Sequence, residues 1–366
     1  MMMAGTLSRY FGWRFFSAVL IIFSGMLVLV AMVDFIEMMR RTSDMKDVSA
    51  LFVAQVSLYR VPHLTERVLP FTVMTAGMVC YLNLSRRLEL VVARSAGISA
   101  WQFTWPAVVV ALLLGVVTTT IYNPLSSSLR EHSARLEAEL FRGTRSFHDL
   151  GSGFWVRQRT EDGQQSIINA KTSSQQGIQL AGVTVFQFDD YDRFQGRIEA
   201  KSAALHTGYW RLEEARIYTA GSEDPPLDRA VHDLKTNLTP TQVRENFATP
   251  ETVPFWQLPG YISLAENAGT AAAGYRIQYY QLLAQPFYLA AMVLLAASVS
   301  LRPFRFGGVQ QMVLGGVVVG FLLYVMSKVV GDLSKAGLMP PAVAAALPPL
   351  AGGLTGLVML LYQEDG

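Results

Sequence analysis

Charge is scarce in this chain of 366 residues: 16% are Asp, Glu, Lys or Arg, against 51% hydrophobic, and the mean hydropathy is +0.29. A soluble protein carries about 25% charged residues, so the deficit points to a membrane protein. The charge that is present balances, 30 Lys+Arg against 28 Asp+Glu, which leaves no electrostatic footprint for nucleic acid. Cysteine is almost missing, and Cys80 alone cannot close an internal disulfide. His63, His132, His148, His206 and His232 are scattered without metal-ligand spacing, which excludes a zinc scaffold. No Gly-Lys dipeptide occurs. A Walker-type loop needs lysine directly after its last glycine, so that backbone cradle and ammonium meet the same phosphates. Nucleotide energy, if used, belongs to another chain, and no cofactor is expected in this one.

Long uncharged runs are what the chain has instead. About 20 apolar residues cross a hydrocarbon core of roughly 30 Å as a helix. Six stretches meet this: Phe15 to Val33, Val68 to Leu84 with an entry from Pro62, Ile98 to Leu129, Ile277 to Leu301, Phe306 to Ser327, and Ala336 to Gln363. The first leads into Asp34-Phe35-Ile36-Glu37 rather than a cleavage site of small residues, so it reads as a retained signal anchor. Pro286, Pro348 and Pro349 are expected to kink their helices where neighbouring groups satisfy the freed carbonyls. Gly316-xxx-Gly320 and Gly352-xxx-Gly356 allow helices to approach closely, as plain packing first and as a gate to a partner second.

Between Arg130 and Arg276 charges recur throughout and the texture turns to β. Strands are predicted at Phe154 to Gln158, Gln165 to Ala170, Gly182 to Phe188, Gly196 to His206, Tyr209 to Leu212, Ala215 to Ala220 and Ala230 to Asn237, separated by Asp-Gly, Asp-Asp and Gly-rich turns. Such repetition suggests a sandwich or jelly roll, with Leu258-Pro259-Gly260 ending the β region. The fold class is therefore an α-helical membrane protein of six transmembrane helices, three plus three, with an inserted all-β domain. Its parts are residues 1–129, 130–275 and 276–366.

Six spans place both termini on one side and the β domain on the other. Lys and Arg set orientation, and here they tie: Arg9, Arg14, Arg86, Arg87, Arg94, Arg302 and Arg305 face Arg40, Arg41, Lys46, Arg60, Arg67, Lys328 and Lys335. Arg86 to Gly97 carries Leu88, Val91 and Val92 on one helical face, with Arg87, Glu89 and Arg94 turned elsewhere and Gly97 as a stop. It reads as a short amphipathic helix, either a plain connector or a docking element. The spans hold no paired acid and base, which disfavours an intramembrane hydrolase.

Several motifs occur in a fixed order: Leu7-Ser8-Arg9-Tyr10, Leu88-Glu89-Leu90-Val91-Val92 with Ser95-Ala96-Gly97, Lys235-Thr236-Asn237-Leu238-Thr239-Pro240, Gln285-Pro286, and Gly320-Phe321-Leu322-Leu323-Tyr324-Val325. With the three-plus-three plan they resemble the LptF/LptG family of lipopolysaccharide export permeases, and the Lys235 to Pro240 stretch tilts toward the LptG side. The resemblance implies a subunit of an ABC-type exporter in the bacterial inner membrane, with cytoplasmic termini and a periplasmic β-jellyroll domain. It implies an LptF-type partner, an LptB-type ATPase dimer that uses ATP, LptC and LptA-type periplasmic proteins, and lipopolysaccharide as cargo. The chain itself would catalyse no covalent reaction. A membrane-anchored sensor or scaffold is the rival from another class, and it would need no coupling helix.

On that resemblance Arg86 to Gly97 is the coupling helix, with Glu89 pairing to a basic groove on the ATPase beside Leu88, Val91, Val92 and Arg94. Arg40 and Arg41 are expected to bind phosphates of the lipid head, since guanidinium forks hold phosphate oxygens bidentately; the plainer alternative pairs them with Asp34, Glu37 or Asp44. Asp34 stands where the family commonly has a further basic residue. Arg130 and Arg135 would complete the basic rim, unless Glu131 and Glu137 take them locally. The family's gate lies between the first span of one subunit and the fifth of the other.

Overall fold

The protein is described as a computed structural model covering residues 2–43, 49–140, 154–159, 165–174, 178–189, 193–220, 225–236, 250–267, 272–301 and 309–364. It comprises two compact units, Met1–Ser133 with Pro250–Gly366, and Ala134–Thr249.

The first unit contains α1 (Met2–Thr42), α2 (Ala50–Arg86), α3 (Glu89–Ser95), α4 (Ala100–Val117) and, after a π-helical turn at Thr118–Tyr122, the start of α5 (Asn123–Leu140). Past the strands come 3-10 turns at Pro250–Thr252 and Phe255–Gln257, then α6 (Leu258–Asn267), α7 (Ala273–Ser300), α8 (Val309–Lys335) and α9 (Pro341–Glu364). Six helical stretches are long and apolar enough to cross a membrane: Gly5–Thr42, Ala50–Arg86, Ala100–Ala134, Ala273–Ser300, Val313–Lys335 and Pro341–Tyr362. These are the six expected. Leu258-Pro259-Gly260, past the strands, opens α6, because proline is tolerated in the first turn of a helix, where its missing N–H has no partner to lose.

Buried Phe15, Val73, Phe103, Leu289, Val293 and Ala297 form one core of this unit. Within it α7 packs against α2, α4, α8 and α9. A β-carbon on Gly115 would lie 2.3 Å from the Pro286 α-carbon, so only glycine lets α4 and α7 meet there. Pro286 has no N–H to offer Leu282 four residues back. The Thr119 hydroxyl, carried on the π turn, donates to that carbonyl at 2.9 Å. The expected satisfaction of a freed carbonyl is therefore met by a named group. The paired glycines pack within the chain: β-carbons on Gly316 and Gly320 would strike Met78 and Met74 of α2, and one on Gly356 would strike the backbone at Leu294. Their small size is used for packing, while Leu314, Val318 and Phe321 of α8 are exposed.

The second unit is one six-stranded antiparallel sheet in the order β1 (Phe154–Arg159), β2 (Gln165–Ser174), β3 (Gln179–Phe188), β4 (Phe194–His206), β5 (Tyr209–Thr219), β6 (Leu227–Lys235). Seven predicted segments are thus six strands, since Tyr209 to Leu212 and Ala215 to Ala220 join into β5. A crease explains the apparent break. At one height across the sheet the pairings Lys171 with Gly182, Gly182 with Lys201, Lys201 with Glu214 and Glu214 with Ala230 are skipped, while the register continues on either side. Gly182 and Glu214 there have φ of 64° and 50°. The buried set on β4 passes from Gly196, Ile198 and Ala200 to Ala203 and Leu205, and on β5 from Trp210 and Leu212 to Ala215. The alternation changes phase at the fold line, so both halves keep their apolar residues inside. Ile168, Val185 and Ile198 from one half share a core with Leu205, Trp210 and Leu212 from the other. One creased meander closes a core without a Greek-key crossing between its described strands.

Candidate functional site

Three polar clusters stand on the helical unit. The first surrounds α3, whose bounds are tighter than the predicted Arg86 to Gly97. Its start is forced by Leu88 at φ 60°, a left-handed conformation uncommon for a bulky residue. Its end is a Schellman motif: Ile98 N–H bonds to Ala93 O at 3.1 Å and Gly97 N–H to Arg94 O at 3.0 Å, with Gly97 at φ 80°. Gly97 is the stop expected. Leu88, Val91 and Val92 are 62%, 57% and 65% exposed, while Leu90 and Ala93 pack inward. Glu89 is turned toward its own chain, accepting a hydrogen bond from Tyr10 at 3.0 Å and lying 3.7 Å from Arg14. Arg86, Arg87 and Arg94 are exposed around it.

At the far end of α1, Arg40 donates twice to Glu37 at 3.0 Å and Arg41 once at 2.9 Å. These are pairs three and four residues apart on the exposed face of one helix. The guanidinium groups are thus held side by side. Asp34 is buried and not at that surface; it accepts from Ser57 at 2.7 Å and lies 3.5 Å from Arg60, joining α1 to α2. Arg130 is half-buried on α5, and the side chain of Arg135 lies outside the described residues, as do Asp44 and Lys46.

The third cluster was not legible in the sequence. Half-buried Glu66 accepts from Asn123 at 2.8 Å and from Ser126. Asn123 also accepts the Phe255 N–H at 3.0 Å, and the Trp256 indole donates to Thr120 O at 3.1 Å. Glu251 receives Arg67 and lies 3.6 Å from His63. His63 and Arg67 hold its carboxyl down at about 2, against its desolvation. His63, Glu66, Arg67, Asn123 and Glu251 line a cavity of about 250 Å³ together with Gln281, Gln285, Tyr324 and Lys328. An acid beside a long apolar run, as Glu66 is, signals function or tertiary pairing; nothing in the sequence signals Glu251, which meets Arg67 across 184 residues. Among the described residues no group of three His, Cys, Asp or Glu could hold a metal.

Six apolar helices, a β domain inserted between the third and fourth, and a short helix with an exposed apolar face between the second and third define a multi-pass membrane protein with an inserted β domain. The chain belongs to the lipopolysaccharide export system permease LptF/LptG family, whose family model matches residues 9–362. It is similar to the lipopolysaccharide export system permease protein LptG of Escherichia coli K12, 22% identical over 364 residues, 98% of this chain and 99% of that protein. The LptG of Haemophilus influenzae is 24% identical over 358 residues, covering 95% and 96% of the two chains.

Proposed function

We propose that this inner-membrane lipopolysaccharide export permease subunit is the LptG-type half of its transporter, paired with an LptF-type subunit on an LptB-type ATPase dimer. It takes lipopolysaccharide from the inner membrane and passes it along its β domain toward LptC and LptA-type periplasmic proteins. ATP is hydrolysed in the partner chain. The observation that carries this reading is the outward apolar face of α3. An exposed patch of Leu88, Val91 and Val92 ringed by Arg86, Arg87 and Arg94 suits an aqueous connector that another protein covers; a sensor or scaffold has no use for it. The termini are then cytoplasmic and the β domain periplasmic. At the other end of α1, Arg40 and Arg41, with Arg130 and Arg135, bind the phosphates of the lipid head. Glu37 holds the first two in place, and a phosphate replaces or joins it as the bidentate acceptor.

Co-purification tests the reading. Changing Leu88, Val91 and Val92 together to Ser should strip the ATPase from the complex while membrane insertion is retained; an unchanged ATPase yield overturns it. Arg40→Ala with Arg41→Ala should weaken lipopolysaccharide retention at least about tenfold, and less for lipid A lacking phosphates; equal retention makes the pair an interfacial anchor.

A further inference from the structure

The segment Leu7-Ser8-Arg9-Tyr10 opens the first span and takes no part in the docking face or the lipid rim. Its tyrosine hydroxyl donates to Glu89 Oε2 at 3.0 Å and accepts from Arg14, one turn further on, through Nε at 3.0 Å and Nη2 at 2.9 Å. Arg14 Nη2 also lies 3.7 Å from Glu89 Oε1, and its guanidinium carbon is 5.3 Å from the centre of the Tyr10 ring. A phenol oxygen that gives its one proton and receives two N–H groups is fully used, and bonds in such a chain polarise one another. Directional bonds therefore attach the carboxylate of α3 to α1, 79 residues away in sequence. Beneath them Leu90 shares the core that holds Phe11 and Leu7.

Stability does not account for this arrangement. Arg14 and Glu89 side chains are 40% and 28% exposed, and pairs of that kind add little to folding free energy. Position does. A seven-residue helix lies between two left-handed joints, Leu88 at φ 60° and Gly97 at φ 80°, and residues that absorb backbone change at element ends act as hinges. Left to those joints, α3 would swivel when its outer face is pushed. Resting on the reading of α3 as the ATPase-docking element, we propose that Tyr10 and Arg14 are positioning residues. They tie α3 to α1 through Glu89, so that movement of the docked partner reaches the first span instead of being lost at Leu88 and Gly97.

The test uses the whole complex with its ATPase, reconstituted with lipopolysaccharide. Tyr10→Phe keeps the ring and removes only the hydroxyl, so folding is retained. It should leave ATPase co-purification and ATP hydrolysis within about twofold of the parent, but lower lipid released per ATP by on the order of tenfold, roughly 1.4 kcal/mol. Arg14→Ala should act in the same direction, Arg14→Lys less, and the double change Tyr10→Phe with Arg14→Ala should be no worse than the poorer single one, because both act on one carboxylate. Spin labels at Thr6→Cys and Ser95→Cys, after Cys80→Ser, should report an α1 to α3 distance that broadens on nucleotide binding in Tyr10→Phe and stays narrow in the parent. Parental lipid release per ATP in Tyr10→Phe, or independent multiplying effects in the double variant, overturns the proposal. The Leu88, Val91 and Val92 to Ser variant separates the two claims. If it keeps its ATPase, the docking reading fails and this inference falls with it; if it loses the ATPase while Tyr10→Phe transports normally, this inference alone is wrong.

Discussion

In α7 the proline at 286 leaves the Leu282 carbonyl without its helical donor, and a hydroxyl is brought from the π turn after α4 to fill the place. Across the β sheet the line from Lys171 to Ala230 also interrupts a hydrogen-bond ladder, yet there the exposed Lys201 and Glu214 face each other at 2.6 Å over the gap. The surroundings explain the contrast. An unpaired backbone group costs several kcal/mol in hydrocarbon, so a break in a span must be closed by protein. A break on a wetted sheet is solvated, and the chain is free to spend the position on curvature. Each unit bends where its own solvent allows.

The comparison breaks most sharply at Gly115. Gly115→Val should cost about 1–3 kcal/mol or more through overpacking, because the atoms it meets are the Pro286 backbone and cannot turn aside; thermal midpoints in detergent would measure it. Thr119→Val removes the hydroxyl while keeping the shape. It should cost about 1–3 kcal/mol by leaving the Leu282 carbonyl unpaired, and Thr119→Ser should restore most of the loss in the same melt. Gly182→Ala on the crease should cost only about 1 kcal/mol, a left-handed alanine offset partly by lost unfolded-state entropy. The clash at 2.9 Å there is with the flexible Lys171 side chain. A Thr119→Val effect smaller than that of Gly182→Ala would show that the two solvents do not set the rule.

Glu251 lies between these cases, ion-paired and 43% exposed, and should give the smallest effect. Its carboxyl titrates at about 2 when folded, against an ordinary 4.5. A depressed folded value means that the stabilisation is complete above about pH 4.5 and is lost as pH falls from there toward 2. The melting difference between the parent and Glu251→Gln should therefore be constant near neutrality and close on acidification. A difference that grows below pH 4.5 would reverse the sign.

Hydropathy made all six spans legible, because a continuous apolar run has few other uses. Strand texture was equally visible, except at Glu213-Glu214, where two exposed residues in succession imitate a turn when they mark a crease. Which side of α3 turns outward is a different matter. Periodicity tells which residues share a helix face, and Leu88, Val91 and Val92 do share one, but it does not tell whether that face meets its own chain or the outside. Leu90 and Ala93 answered that only in three dimensions. Asp34 shows the same limit: read as an acid at a basic rim, it is a buried partner of Ser57 and Arg60. The meeting of Arg67 with Glu251 needed the fold itself.

The Thr119 bond to Leu282 also fixes an order of events during synthesis. Its two ends are 163 residues apart, and at about 5–20 residues per second the ribosome takes on the order of ten seconds or more to pass from one to the other. Throughout that interval the first three spans stand in the bilayer with the notch at Gly115 unfilled, while the whole β domain is made. The N-terminal half is therefore an incomplete bundle awaiting α7, and the time it spends exposed is set by the length of the domain inserted before its partner.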